Sequence, residues 1–133
     1  MLNPLPAPDL DPTSIFELFR GSYATELLTA AVVEFHVFER LASNPQSFDD
    51  LRTELGLAPR PANVLITALR AAGLLTINRD SRLDLTPLAR EHLTPGGEFD
   101  VSGYISLAAD SPGVREMIVR LRANGPTGSA AGC

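Results

Sequence analysis

Residues 47–89, SFDDLRTELGLAPRPANVLITALRAAGLLTINRDSRLDLTPLA, decide the fold. Ser47 opens this stretch as a helix N-cap, with Asp49 and Asp50 in the first turn, where the helix macrodipole favours acids. The short helix stops at Gly56, a residue suited to the position just past a helix end. Pro59 to Ala72 predicts a second helix, with Val64, Leu65, Ala68, Leu69 and Ala72 on one side and Gly73 as its terminator. Leu74-Leu75-Thr76-Ile77 and Arg82-Leu83-Asp84-Leu85 then alternate like strands, so that Leu75, Ile77, Leu83 and Leu85 can face one core. The polar Asn78-Arg79-Asp80-Ser81 supplies the turn between them. Two helices followed by a β-hairpin is the order of a winged helix-turn-helix.

Upstream, Asp11 with Pro12 at the first helical position, or Ser14 with Glu17 three residues on, can start a helix. Nothing interrupts it before about Phe35 except Gly21, which costs about 1 kcal/mol against alanine. Phe16, Phe19, Tyr23, Leu27 and Ala31 follow helical spacing and form one apolar stripe. Leu27 to Val33 is apolar on nearly all sides and wants cover on more than one face. A small domain rarely supplies that alone, so burial by a partner is expected. A short helix through Val37, Phe38 and Leu41 ends before Asn44-Pro45.

Downstream, Thr86-Pro87 opens a helix carrying Leu88, Ala89 and Leu93, closed by Pro95-Gly96-Gly97. Two more helices are expected, one over Ser102 to Ala109 and one capped by Ser111 with Pro112 at its first position. The latter carries Val114, Met117, Ile118 and Leu121. The fold class is therefore mainly α: a winged helix-turn-helix-like domain with a short β-hairpin wing and extra N- and C-terminal helices. Residues 1–11 read as a flexible leader, 12–123 as the domain, and 124–133 as a linker or tail of the composition Gly-Pro-Thr-Gly-Ser. A chain that reaches such a linker is expected to have had something follow it.

With 133 residues, one domain is expected, large enough to bury a core without disulfides or a metal. The single cysteine is Cys133, which excludes a disulfide framework and a thiolate metal site. No apolar run approaches the roughly 18 residues that would span a bilayer, and the proline-rich start lacks a basic n-region. A cytoplasmic location and no membrane partner are the expectation.

Catalysis requires converging reactive groups, and the sequence offers no such set. His36 and His92 lie far apart and outside any metal-ligand spacing. His36, in an apolar run, reads as a packed or interface histidine. His92 falls near the end of the helix after Thr86, where its charge suits the dipole. Asp49 and Asp50 are adjacent and do not face each other on a helix. Gly96-Gly97 does not sit between a strand and a helix, so it forms no phosphate cradle. No catalytic, cofactor-binding or metal residue is assigned.

Winged helices commonly read DNA with their second helix, which makes a DNA-binding regulator the rival reading. The candidate recognition helix offers Arg60, Asn63, Thr67 and Arg70, and the wing Arg79 and Arg82. All eleven basic residues are arginine, and the net charge is −5. Between Ser47 and Leu93 six arginines are balanced by six acids, where a DNA-reading face shows a surplus of base. Nucleic acid is not the favoured partner.

Several segments, taken in order, resemble a known family. These are Glu26 to Leu41 (ELLTAAVVEFHVFERL), Ser47-Phe48-Asp49-Asp50-Leu51, Leu55-Gly56-Leu57-Ala58-Pro59-Arg60, Leu69 to Leu75 (LRAAGLL) and Leu85-Thr86-Pro87-Leu88-Ala89. They look like the N-terminal dimerisation domain of the S-adenosylmethionine-dependent O-methyltransferases of small-molecule metabolism. The resemblance covers 14–93 well and extends more loosely to Arg122. It implies a homodimer, a small-molecule acceptor in the complete enzyme, and a separate Rossmann-like domain that binds S-adenosylmethionine and carries the catalytic base. The glycine-rich signature of that domain is missing, so this chain alone is expected to bind no cofactor and to be inactive.

Ile15, Phe16, Phe19, Tyr23, Leu27, Leu28, Ala31, Val32 and Phe35 are the expected dimer interface. The resemblance also puts Phe16, Phe19, Tyr23, Tyr104 and Met117 forward as a possible wall of the acceptor pocket. The aromatic stripe is read first as dimer core. A third reading is a small-molecule binding module without chemistry.

Overall fold

The computed structural model describes residues 7–13, 15 and 24–123. Within them the chain forms α1 (Ala24–Val33), α2 (Val37–Ser43), α3 (Phe48–Leu55), α4 (Pro59–Ala71), β1 (Leu75–Ile77), β2 (Leu83–Leu85), α5 (Pro87–His92), α6 (Ser102–Ser106) and α7 (Pro112–Ala123). This is a mainly helical, winged-helix-like fold with a two-stranded antiparallel hairpin. The part of the expected first helix over 16–23 lies outside the described residues.

Local chemistry sets the boundaries. The Ser47 hydroxyl accepts the Asp50 amide at 3.1 Å, which satisfies one of the four donors left open at the start of α3. Gly56 ends that helix at φ 72°, a left-handed conformation that costs glycine nothing. Thr86 caps α5 through the Ala89 amide, with Pro87 at the first helical position, and Ser111 caps α7 through the Val114 amide. In the hairpin, Leu75 faces Leu85, Thr76 faces Asp84 and Ile77 faces Leu83. The Asn78 side chain accepts the amides of Asp80 and Arg82, folding the turn locally. Gln46 adds a single bridge to Leu83 on the far side of β2.

The core is one cluster. Phe35, Phe38, Leu41, Leu51, Leu65, Leu69, Leu74, Leu83, Leu93 and Ile105 are fully covered. α1 lies at its centre, packed against α2, α4, α6 and α7. Leu28, Thr29, Ala30 and Ala31, four residues in a row, are all buried. The later helices of the same chain close over these four, while Leu27, Val32 and Val33 at either end of the run stay half-buried. Partway along its turn to α2 the chain passes through His36 at φ 51°, in the left-handed region. Arg40 braces that corner by donating from Nε to the Phe35 carbonyl and pairing with Glu54 at 2.7 Å.

Three details depart from the sequence reading. Val64 is 49% exposed, because α4 buries the arc of Pro61, Ala62, Leu65, Ile66 and Leu69 instead. Ile77 is 41% exposed, so the hairpin buries Leu75, Leu83 and Leu85 only. The helix expected over 102–109 ends at Ser106, with turns from Leu107 to Asp110.

Candidate functional site

The residues named from sequence separate into three groups. Ile15, Leu28, Ala31 and Phe35 are covered within the single chain, none more than 1% exposed. Leu27 and Val32 are half-buried on the flank of α1, packed against the core. Phe16, Phe19 and Tyr23 lie outside the described residues. Of the other two pocket candidates, Tyr104 is exposed and Met117 is half-buried against the core.

An apolar surface emerges instead where α1 meets the C-terminal helices. Leu107 is 80% exposed and Val119 52% exposed. Val33, Ala109, Ile118 and Val119 line an open groove there, bordered by Glu34, Asp110 and Arg115. Arg122 pairs with Glu34 and lies 5.0 Å from the centre of the Phe35 ring. A neighbouring cleft of about 380 Å³ lies among Val32, Val33, Phe38, Leu93, Ser102 and Ser106, with His36 at its edge. Leu107 and Val119 are large apolar side chains left exposed. Sequence reading missed both. Leu107 was assigned to a helix that stops one residue earlier, and Val119 lies beside the stripe of Val114, Ile118 and Leu121 rather than on it.

Polar side chains gather in an open cleft of about 710 Å³ that includes His36, Glu39, Arg40, Asp50, Glu54 and Arg82. His36 is exposed rather than packed in the chain's own core, and pairs with Glu39 at 3.2 Å. His92 is buried between two backbone carbonyls. Asp49 pairs with Arg52 along α3. Among the described residues, no group of histidine, cysteine and acidic side chains could hold a metal ion. Arg60, Asn63, Thr67 and Arg70 all lie exposed on α4, with Asn63 and Thr67 hydrogen-bonded to each other at 3.4 Å.

Asp11 is held below the usual aspartate range, first by the Thr13 hydroxyl and then by the Thr13 amide, which bond to it at 2.6 and 3.0 Å.

The fold has close counterparts. An O-methyltransferase family 2 protein from Planctomyces limnophilus, solved in complex with apigenin, superposes with a TM-score of 0.75 at 49% identity. The match covers 90% of this chain and 36% of that one. This chain is a relative of the O-methyltransferases. The 3-hydroxy-5-methyl-1-naphthoate 3-O-methyltransferase of Streptomyces sahachiroi is 36% identical over 118 residues, 87% of this chain and 34% of the relative. The tetracenomycin polyketide synthesis 8-O-methyl transferase of Streptomyces glaucescens is 33% identical over 97 residues, 73% of this chain and 28% of its own length. The chain thus spans about a third of the length of these O-methyltransferases. No family model matches it. Human N-acetylserotonin methyltransferase, at 15% identity and a TM-score of 0.59, shares the fold.

Proposed function

We propose that this chain is the dimerisation portion of an S-adenosylmethionine-dependent O-methyltransferase that methylates a hydroxyl on an aromatic small molecule. The observation that carries the reading is the match over nine-tenths of this chain to barely a third of a methyltransferase, at 49% identity. Cofactor binding and proton abstraction from the acceptor belong, on this reading, to the remaining two-thirds of the enzyme. The two Streptomyces relatives act in naphthoate and polyketide chemistry, and the Planctomyces protein was crystallised with apigenin. A phenolic hydroxyl on a fused-ring scaffold is the acceptor class that unites them.

The portion described here contributes by burying apolar surface against a second copy. Ile15, Leu28, Ala31 and Phe35 are already spent on the chain's own core, so the contact falls on what that core leaves uncovered. Val33 on the flank of α1, with Ala109, Ile118 and Val119, forms that face. A homodimer uses the same patch on both copies. Each large apolar side chain fully desolvated there contributes about 1.5–3 kcal/mol in transfer terms, before the cost of association.

Light scattering on the 133-residue chain at micromolar concentration tests this. A dimer is expected, and Val119→Asp should convert it to a folded monomer with an unchanged helical spectrum. A wild-type monomer at that concentration would remove the reading. Leu28→Asp is not a clean test, since Leu28 is 1% exposed and its replacement attacks the core itself.

A further inference from the structure

His92 ends α5 and is 1% exposed. Its ring stands between two backbone carbonyl oxygens, with Nδ1 3.0 Å from that of Phe99 and Nε2 2.8 Å from that of Leu10. A neutral imidazole carries one N–H and one lone pair, so it donates to one of these oxygens and confronts the other with a lone pair. With the ring itself 1% exposed, that sets a lone pair against an oxygen at close range. The imidazolium donates to both. We propose that doubly protonated His92 is a clasp that fastens the N-terminal segment at Leu10 onto the domain, and that loss of its proton releases that segment.

The surroundings fit a cation. Glu91 Oε1 lies 3.4 Å from Nε2 and also accepts the Leu10 amide at 3.3 Å. Leu10 is thus held twice, by its N–H on Glu91 and its C=O on His92. Asp11, the next residue, is a second carboxylate close enough for its charge to interact with the ring. The ring also sits at the C-terminal end of α5, where the helix dipole favours positive charge. Arg90 of the same helix is turned away, paired with Asp84 at 3.0 Å. Beyond the clasp the Asp11–Thr13 turn leads to Ile15, which is 1% exposed in the core. His92 is therefore a positioning residue: it fixes where the segment enters the fold.

The Asp11 carboxylate favours the folded turn once ionised, and that support is lost as acid protonates it.

Amide exchange measured by NMR on the whole chain, as protection relative to intrinsic rates at Leu10 and Ile15, tests the clasp. The nitrogen shifts of the His92 ring are read on the same samples, from about pH 5 to about pH 8. Both ring nitrogens should be protonated at the acid end, and protection at Leu10 should fall on the order of tenfold as the ring deprotonates. His92→Gln should leave Leu10 weakly protected at every pH, and Glu91→Gln should move the release to lower pH. Exposed His36 is the control whose titration changes nothing at Leu10. A singly protonated ring with Leu10 and Ile15 still protected would overturn the proposal. So would an unchanged pH profile in His92→Gln, and if that variant fails to fold, the ring shifts of the wild-type chain decide.

Discussion

Burying a hydroxyl without a partner costs free energy, and Thr29 does so in the middle of α1. Its side chain is 0% exposed, and among the described residues its Oγ1 has no hydrogen bond. Thr29→Val keeps the shape and removes the unsatisfied group, so it should stabilise the chain by about 1 kcal/mol, seen as a higher melting temperature. Ser47 is the opposite case. Its hydroxyl serves the Asp50 amide, and Ser47→Ala should cost about 1 kcal/mol in a denaturant titration. The Ser47, Thr86 and Ser111 caps were all legible in the sequence, because a cap is a local agreement between one side chain and a backbone amide a few residues on. The environment of His92 was not. Its partners, Leu10 and Phe99, are fixed by the path of the chain, and one of them is 82 residues away.

At the level of elements, periodicity showed which residues are apolar but not where each buried arc is centred. α4 is the clearest case. Val64 and Leu65 are both apolar neighbours, yet only the arc through Ala62, Leu65, Ile66 and Leu69 faces the core. Leu69→Ala should therefore cost about 2–5 kcal/mol by calorimetry, whereas Val64→Ala should stay within about 0.5 kcal/mol. In the hairpin, Ile77 pairs with Leu83 but shares none of its burial, because the three-residue strand β1 ends there. The order of elements was readable throughout 37–93, since capping residues, glycines and prolines punctuate it. The end of α6 was not, because no glycine or proline marks Ser106.

For the whole molecule, the composition of α1 suggested dependence on a partner, and the fold itself covers Leu28 to Ala31 while leaving Leu27, Val32 and Val33 half-buried. On the proposed reading a second copy uses the surface around Val33, Ile118 and Val119. Association of this kind is driven by apolar burial, so raising salt should leave the dimer intact or strengthen it, as sedimentation would register. Binding to duplex DNA through α4 would show the reverse, weakening steeply as salt rises. The rank of the sequence candidates changed for a physical reason. Apolar content identifies residues that must be buried, but which of them the chain buries by itself is decided by helices far downstream.

The bridge from Gln46 to Leu83 has a consequence for life in a crowded solution. A lone hairpin presents two strand edges, and an open edge is a template on which another chain can lengthen the sheet. Gln46 exchanges both backbone hydrogen bonds with Leu83, so the outer side of β2 is occupied at its buried residue. What remains open is the outer side of β1, three residues long and ending in the turn at Asn78. That is too short a ladder to seed fibrous growth, and the wing can stay exposed without becoming adhesive.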